Sequence, residues 1–153
     1  MKTSISFEQI PSFVTSHLVP LLTTKQIFIL SGPLGAGKTT FTKEFLSQCG
    51  ITTPVTSPTF SYVNTYTNAQ GRAFYHFDLY RFIDPEEWDA AGFRDYFNSS
   101  SLCLVEWPEK AGELLPAADI ELVLQPHEGG RKLTLRSNSA IGAALLTRFN
   151  PNT

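Results

Sequence analysis

The sequence is short of basic residues and of cysteines. It has 12 lysines and arginines against 14 aspartates and glutamates, which gives a net charge of −2. A protein that binds nucleic acid on its own usually carries a clear basic excess. We therefore expect any contact with nucleic acid to be indirect or shared with a partner. The 2 cysteines, Cys49 and Cys103, are too few for a disulfide framework and are predicted to be small buried side chains.

Segments that would place the chain in a membrane or direct it out of the cell are also missing. No apolar stretch approaches the length of about 18 residues that a transmembrane helix needs. The N-terminal stretch MKTSISFEQI lacks the apolar core of a signal peptide. We therefore expect a cytoplasmic protein that has no membrane association and keeps its thiols reduced.

What is present suffices for one folded domain. The chain has 153 residues, of which 42% are hydrophobic. That is enough apolar side chain for a core, and the length is typical of one domain rather than two. We find no internal repeat and no linker-like stretch. We therefore predict a single domain over residues 1–153.

Alternating strand and helix patterns predict an α/β fold. Gln26–Ser31 is an apolar, β-branched and aromatic run, typical of a strand buried on both faces of a parallel sheet. Apolar residues at helical spacing predict a helix over Lys38–Gln48. The other predicted elements are a helix from Ser6 to before Pro20, the strand pair Val55–Thr67 and Ala73–Tyr80, a helix over Asp84–Phe97, a strand over Leu102–Val105, the strand pair Ile120–Leu124 and Lys132–Leu135, and a helix over Ser139–Phe149. Together they predict a three-layer sandwich whose mixed sheet contains hairpins.

The segment between the first of these strands and the helix after it carries a motif. Gly32–Thr39 matches G-x-x-x-x-G-K-[ST], the phosphate-binding loop (P-loop). Glycines let the backbone amides point at phosphate oxygens, and the following helix presents its positive end to the same anion. Lys38 supplies a compact cation for the outer phosphates, and Thr39 supplies a hydroxyl oxygen for Mg²⁺. Because a strand precedes the motif and a helix follows it, we predict a P-loop NTPase-like fold.

A P-loop site also needs a carboxylate near the metal. The usual source is an acid at the carboxyl end of a neighbouring buried strand. Four apolar residues, Leu102–Val105, are followed directly by Glu106. We predict that Glu106 binds Mg²⁺ directly or through water, with Asp78 as the alternative metal ligand.

Residues 76–81, HFDLYR, place three polar side chains at alternate positions. In a strand, His76, Asp78 and Tyr80 share one face. Asp78 is the candidate to orient or deprotonate the water that attacks the γ-phosphate of a nucleotide. His76 is either a structural histidine or part of the site, and Arg81 either pairs with a local acid or reaches a phosphate.

Three further features leave alternatives open. The hydroxyl-rich loop Thr56–Phe60 lies where nucleotide switches sense the γ-phosphate, and its alternative interpretation is a plain loop with a Ser-Pro turn. Trp107 either stacks near a nucleotide or packs in a lid. Trp88 is expected in the core or on a partner surface.

Six motifs in this order make the sequence similar to a known family. They are LGAGKTTF at 34–41, SPTF at 57–60, YHFDLYR at 75–81, DPEE at 84–87, RDYF at 94–97 and CLVEWP at 103–108. Together they resemble the TsaE family (also called YjeE), small bacterial P-loop ATPases of tRNA threonylcarbamoyladenosine biosynthesis. One departure is Pro33, where the family commonly has aspartate. Because this position precedes the phosphate-cradling amides, we expect nucleotide binding to survive.

The resemblance implies a site for ATP and Mg²⁺. Asp78 would be the catalytic or water-positioning acid, Thr39 and Glu106 would bind Mg²⁺, and the loop Thr56–Phe60 would behave like a switch. The residues that the resemblance places around ATP are Gly32, Leu34, Gly35, Ala36, Gly37, Lys38, Thr39, Thr40, Thr59, Trp107 and Arg131.

The resemblance also implies an accessory role beside the proteins TsaD and TsaB. TsaD transfers threonylcarbamoyl to the adenosine next to the anticodon, and slow ATP hydrolysis by the TsaE-like member supports repeated turnover. Two alternatives remain open. One is a small-molecule P-loop kinase, although such enzymes usually clamp two phosphorylated substrates with several arginines and only six occur here. The other is a non-catalytic nucleotide-dependent switch, which would not need Asp78.

Overall fold

The computed structural model describes residues 2–23, 25–98 and 100–147. In these residues the strands are β1 (Lys2–Ile5), β2 (Gln26–Ser31), β3 (Val63–Thr67), β4 (Ala73–Asp78), β5 (Ser101–Glu106), β6 (Ile120–His127) and β7 (Gly130–Ser137). The α-helices are α1 (Ile10–Phe13), α2 (Lys38–Gln48), α3 (Pro85–Ala90), α4 (Phe93–Asn98) and α5 (Ala140–Thr147).

The strands form one mixed sheet in the order β1-β7-β6-β2-β5-β4-β3. At its centre β2 pairs in parallel with β5 and β6, and β4 pairs in parallel with β5. The β3–β4 and β6–β7 pairs are antiparallel hairpins, and β1 pairs antiparallel with β7. The predicted mixed sheet with hairpins is confirmed. The carboxyl ends of β2, β4 and β5 meet at one edge of the sheet.

Helices cover both faces of this sheet. Successive side chains of β2 point to opposite faces, so Phe28 and Leu30 pack into a core with α1 and α2, while Ile27 packs into a second core with α3 and α4. Burial of these apolar side chains is the main favourable term in folding. The two cores confirm the three-layer α/β class predicted from the sequence.

The elements that hold the P-loop match the prediction closely. β2 and α2 have the predicted bounds, and β5 is one residue longer at each end than Leu102–Val105. Both hairpins are present, and β6 and β7 are longer than predicted. Buried strands and an amphipathic helix carry strong local signals, which is why their bounds were predictable.

Two predicted strand bounds were wrong. Residues 55–62 form a loop, and β3 begins only at Val63. Pro58 lacks the backbone N–H that a strand ladder would use. At the other end, β4 stops at Asp78 because the Asp78 carboxylate accepts a hydrogen bond from the backbone N–H of Tyr80 at 3.0 Å, which turns the chain.

The predicted helices are more broken than expected. The segment from Ser6 to Pro20 is not one regular α-helix. It consists of consecutive short helical segments of different types, of which α1 is one, and the last of them continues through Pro20. Pro11 lies in the first turn of α1, where a missing N–H has no cost. The predicted helix over Asp84–Phe97 is split into α3 and α4 at Gly92, whose φ is 69°.

Some expectations at the chain ends and at single residues have clear outcomes. β1 was not predicted. The C-terminal helix is described from Ala140 as far as Thr147, and its predicted end at Phe149 lies outside the described residues. Cys49 and Cys103 are buried, free thiols as predicted, and burial raises the pKa of each to about 12. Among the described helices, none combines the length and apolar character needed to cross a membrane.

Candidate active site

The P-loop connects β2 to α2 and depends on glycine at both of its ends. Gly32 has φ 149°, and a Cβ there would lie 2.3 Å from the backbone oxygen of Leu124 in β6. Gly37, which caps the N-terminus of α2, has φ 93°. Side chains other than glycine are strained in this region. The motif's glycines are therefore required by the backbone path over the sheet.

The side chain of Lys38 is buried against the P-loop backbone that precedes it in the sequence. Its Nζ donates hydrogen bonds to the backbone oxygens of Gly32 at 2.6 Å and Pro33 at 3.1 Å, and lies 4.0 Å from the centre of the Trp107 ring. Burial lowers the pKa of Lys38, while the carboxylates of Glu106, Glu109 and Asp78 oppose that shift. A buried cation is unfavourable unless negative charge lies near it, and a phosphate group would supply that charge.

Oxygen atoms gather beside Lys38 at the carboxyl edge of the sheet. The Thr39 hydroxyl donates to Glu106 Oε1 at 3.2 Å, and the Ser57 hydroxyl donates to Thr39 Oγ1 at 3.4 Å. Asp78 and Glu106 are register partners at the ends of β4 and β5. Burial raises the pKa of Asp78, because the charged carboxylate is disfavoured there.

This set of donors fits a magnesium ion bound together with phosphates. Mg²⁺ prefers hard oxygen ligands and usually takes only one or two carboxylates from the protein, with waters and phosphates completing its shell. Thr39 and Glu106 supply such oxygens side by side. Within residues 2–23, 25–98 and 100–147, no group of three or more histidine, cysteine, aspartate or glutamate side chains forms a metal-binding cluster.

His76 is joined directly to this oxygen cluster. Its imidazole is fully buried, and its Nε2 lies 2.5 Å from Glu106 Oε2. With Glu106 as a carboxylate, which accepts and does not donate, the Nε2–H tautomer is the one that makes this hydrogen bond. The other ring nitrogen, Nδ1, is buried and has no hydrogen-bond partner within the described part of the chain. The sequence left the role of His76 open, and the structure places it against the predicted metal ligand.

Trp107 adopts an unusual backbone conformation at the edge of the site. Its φ and ψ are 57° and 51°, in the left-handed region that non-glycine residues rarely occupy. This conformation turns the indole over Lys38, and the Tyr80 ring lies beside it with the two centres 4.9 Å apart. The two aromatic rings form a wall on one side of the cavity.

Arg131 holds the P-loop from the side of β7. Its Nε donates to the backbone oxygen of Ala36 at 2.5 Å, and its Nη2 donates to that of Gly35 at 3.3 Å. The guanidinium fork suits paired contacts of this kind. Arg131 therefore fixes the backbone whose amides are expected to face phosphate.

Most of the residues predicted for the site surround one cavity of about 380 Å³. Its lining residues are Leu34, Gly35, Ala36, Gly37, Lys38, Thr39, Thr40, Asp78, Tyr80, Glu106, Trp107 and Arg131. Two predicted residues do not line it. Gly32 lies behind Lys38, and Thr59 lines an adjoining cavity of about 200 Å³ together with Ser57, Pro58, Asp78, Tyr80 and Arg81.

The sequence did not lead us to assign Tyr80 to the site or to predict the direct contact of Ser57 with Thr39. Tyr80 had a signal, since it follows Asp78 by two positions in the HFDLYR segment. Ser57 had only its place in a hydroxyl-rich loop. Trp88, by contrast, belongs to the core, since it is 1% exposed and its ring stacks on Phe97 at 5.6 Å between centres.

Comparison with known proteins identifies the family of the chain. The family model described as "Threonylcarbamoyl adenosine biosynthesis protein TsaE" matches residues 7–133, which include every residue of the site. The chain belongs to the TsaE family. The resemblance inferred from its six motifs is confirmed, and the family places the chain in tRNA threonylcarbamoyladenosine biosynthesis.

Individual relatives of the TsaE family agree over most of the chain. The tRNA threonylcarbamoyladenosine biosynthesis protein TsaE of Haemophilus influenzae is 43% identical over 134 residues, 87% of this chain and 84% of that protein. The protein of the same name from Bacillus subtilis is 41% identical over 99 residues, 65% of this chain and 61% of its own length. The crystal structure of Bacillus subtilis YdiB superposes with a TM-score of 0.76 at 29% identity, covering 97% of this chain and 90% of YdiB.

Proposed function

We propose that this TsaE-family protein binds ATP with Mg²⁺ and hydrolyses it slowly, as an accessory subunit that acts with TsaD and TsaB. The observation that carries the proposal is the cluster formed by Thr39, Glu106 and Asp78 beside the buried Lys38 of a P-loop. The net charge of −2 supports a role in which tRNA is held mainly by the partners.

Lys38 and the P-loop backbone would bind the phosphates of ATP. In the proposed complex the ammonium exchanges its contacts with Gly32 and Pro33 for phosphate oxygens, which are stronger acceptors for a cation. Thr39 and Glu106 would hold Mg²⁺, which neutralises charge on the phosphates. Tyr80 and Trp107 would shield that end of the cavity from bulk water.

Asp78 is the residue proposed to position the attacking water. Its carboxylate lines the cavity beside Glu106, and the backbone N–H of Tyr80 fixes one of its oxygens. The raised pKa makes Asp78 a better proton acceptor than an ordinary exposed aspartate. A switch that only binds nucleotide would have no use for a half-buried acid at this position.

A small-molecule kinase is the second candidate function, and one observation favours it. The adjoining cavity of about 200 Å³ shares Asp78 and Tyr80 with the nucleotide cavity and also contains Arg81. An acceptor molecule bound there would lie next to the proposed catalytic acid. Arg81 alone, however, falls short of the several arginines that such kinases use as clamps.

Hydrolysis assays on the purified protein separate these candidates. ATP turnover is measured with Mg²⁺ and with a chelator, alone and with purified TsaD and TsaB, and the same samples are run on size exclusion. We expect Mg²⁺-dependent turnover that rises with the partners, and an ATP-dependent complex. ATP consumption only after a small phosphate acceptor is added would instead support the kinase.

The metal site is tested in the same assay with paired variants. Glu106→Ala removes the predicted ligand, and Glu113→Ala removes an exposed acid in the turn Gly112–Leu114. We expect Glu106→Ala to impair Mg²⁺-dependent turnover far more than nucleotide binding without metal, and Glu113→Ala to change neither greatly. Unchanged turnover in Glu106→Ala would remove Glu106 from the metal site.

A further inference from the structure

The burial of His76 has no explanation in packing alone. On the same face of the sheet its neighbours are Phe74 in β4 and Leu104, its register partner in β5, and both are apolar and buried. The imidazole has no exposed surface, and no residue that the structure describes makes a hydrogen bond to its Nδ1. A buried polar atom without a partner costs about 1–3 kcal/mol. An apolar side chain would pack against these neighbours without that cost.

The polar contact that the structure describes for His76 is directed at the site. Nε2 donates to Glu106 Oε2, while the other carboxylate oxygen, Oε1, accepts from the Thr39 hydroxyl. Glu106 is itself 1% exposed, so water has little access to replace either contact. The carboxylate is therefore held at both oxygens by groups on two different elements, β4 and the first turn of α2.

We propose that His76 is a positioning residue, which orients the Glu106 carboxylate so that Oε1 faces Thr39 and the metal. The inference rests on the proposed function, because it assigns Glu106 to a Mg²⁺ site. Hydrogen bonds to the far oxygen of a ligating carboxylate fix its orientation, and their loss typically costs about 10–100-fold in metal affinity. The Thr39 hydroxyl contacts only Oε1, so the contact with His76 is what fixes the second oxygen, Oε2.

Two amide variants of His76 separate orientation from mere packing. In His76→Gln the side-chain amide reaches the place of Nε2 and can still donate to Glu106. In His76→Asn the amide reaches only the place of Nδ1, which has no partner among residues 2–23, 25–98 and 100–147. Both variants bury an amide at the same position. A difference between them therefore reports the contact with Glu106.

The affinity for Mn²⁺, used as a spectroscopic probe in place of Mg²⁺, is measured by electron paramagnetic resonance with a non-hydrolysable ATP analogue. Analogue affinity in chelator is measured by calorimetry, and thermal unfolding verifies that each variant is folded. His127→Asn, at an exposed position in the β6–β7 hairpin, is the matched control.

We expect His76→Asn to weaken Mn²⁺ binding by about 10–100-fold, with analogue affinity in chelator changed by less than about threefold. His76→Gln and His127→Asn should stay close to the wild type in both measurements. His76→Leu, which retains an apolar side chain among Phe74 and Leu104, should behave like His76→Asn. The leucine variant provides the test if the asparagine variant does not fold.

Two results would overturn the inference alone. One is wild-type Mn²⁺ affinity in His76→Asn and His76→Leu, and the other is an equal loss of Mn²⁺ affinity in His76→Gln, which would indicate packing only. A wild-type protein that binds the analogue but takes up no Mn²⁺ would overturn the proposed metal site, and this inference with it.

Discussion

The two faces of β4 are built for different tasks, although they share one backbone. Tyr75 and Phe77 point to the core with α3 and α4, where Phe77 packs against a cluster of aromatic rings. His76 and Asp78 point to the face that carries α2, where they meet Glu106 and the P-loop. One residue along the strand therefore separates a side chain that stabilises the fold from one that serves the site.

The aromatic face is held together by contacts between rings. Trp88 stacks on Phe97 and meets Phe93 edge-to-face, with ring centres 5.6 and 5.3 Å apart. Such pairs contribute about 0.5–1.5 kcal/mol beyond the burial of their area. This side of the sheet supplies a rigid support for β4 and β5.

The polar face collects features that a protein selected for stability alone would avoid. Lys38 is buried, burial raises the pKa of Asp78, and within the described residues the Nδ1 of His76 has no hydrogen-bond partner. Strained or poorly satisfied groups concentrate at functional sites, where the rest of the fold holds them in place. We infer that the free energy gained by packing on the aromatic face offsets the free energy that the groups of the polar face cost.

The largest expected effect is on the aromatic face. Trp88→Ala removes the ring at the centre of the cluster, and we expect the free energy of unfolding to fall by about 3–5 kcal/mol. Urea denaturation measures this loss. The matched control is Ile83→Ala at an 87% exposed side chain, which should change stability little. A similar small loss for both variants would contradict the stabilising role of this face.

The next largest effect is on the polar face and concerns binding. Lys38→Ala removes the cation that would meet the outer phosphates, and we expect ATP affinity in calorimetry to fall at least about 100-fold. Lys43→Ala, at an exposed position of the same helix, is the control. Retained micromolar affinity in Lys38→Ala would refute the assignment of the loop.

Asp78→Asn should separate catalysis from nucleotide binding. We expect ATP turnover with the partners to fall about 100-fold or more, because the amide cannot accept the proton of water. Nucleotide affinity should stay near the wild-type value. Asp95→Asn, at an exposed position of α4, is the control. Normal turnover in Asp78→Asn would favour a protein in which another group positions the water.

The same variant has an expected pH signature in thermal unfolding. The pKa of Asp78 is raised in the folded protein because burial disfavours the carboxylate. The ionised group therefore costs stability above its folded pKa, and this cost disappears as the pH falls below the ordinary pKa of an aspartate. Asp78→Asn should be more stable than the wild type at neutral pH and lose that advantage in acid. A variant less stable at neutral pH would contradict the assigned burial cost.

The smallest expected effect concerns the support of the P-loop. Arg131→Met keeps the apolar stem but removes the donors to Ala36 and Gly35. We expect nucleotide affinity in calorimetry to fall about tenfold. Arg136→Met, on the same strand and more exposed, should have no such effect. Equal affinities for the two variants would indicate that the loop needs no support from β7.

Much of the fold was predictable because the P-loop elements carry strong local signals. β2 and α2 show continuous apolar and helical spacing, and the motif between them requires that order. The N-terminal segment was harder, because its turns change type several times around Pro11 and Pro20. The split at Gly92 depends on one left-handed residue, whose effect the flanking helical pattern hides.

The site was predictable in its membership but not in its contacts. Alternation in β4 grouped His76 with Asp78, and the strand end indicated Glu106. The hydrogen bond between His76 and Glu106 depends on the parallel register of β4 and β5, which local sequence does not determine. Likewise, the left-handed backbone that turns Trp107 over Lys38 has no signal in the residue type.

The proposed nucleotide and metal site is tested most directly by a crystal structure of the protein with Mn²⁺ and a non-hydrolysable ATP analogue. Anomalous diffraction from manganese locates the metal independently of the protein atoms. We expect one manganese peak beside Thr39 and Glu106, with the analogue's phosphates on the P-loop and Lys38 turned toward them. A metal or phosphate chain bound elsewhere, with Lys38 still bonded to Gly32 and Pro33, would contradict the proposed site.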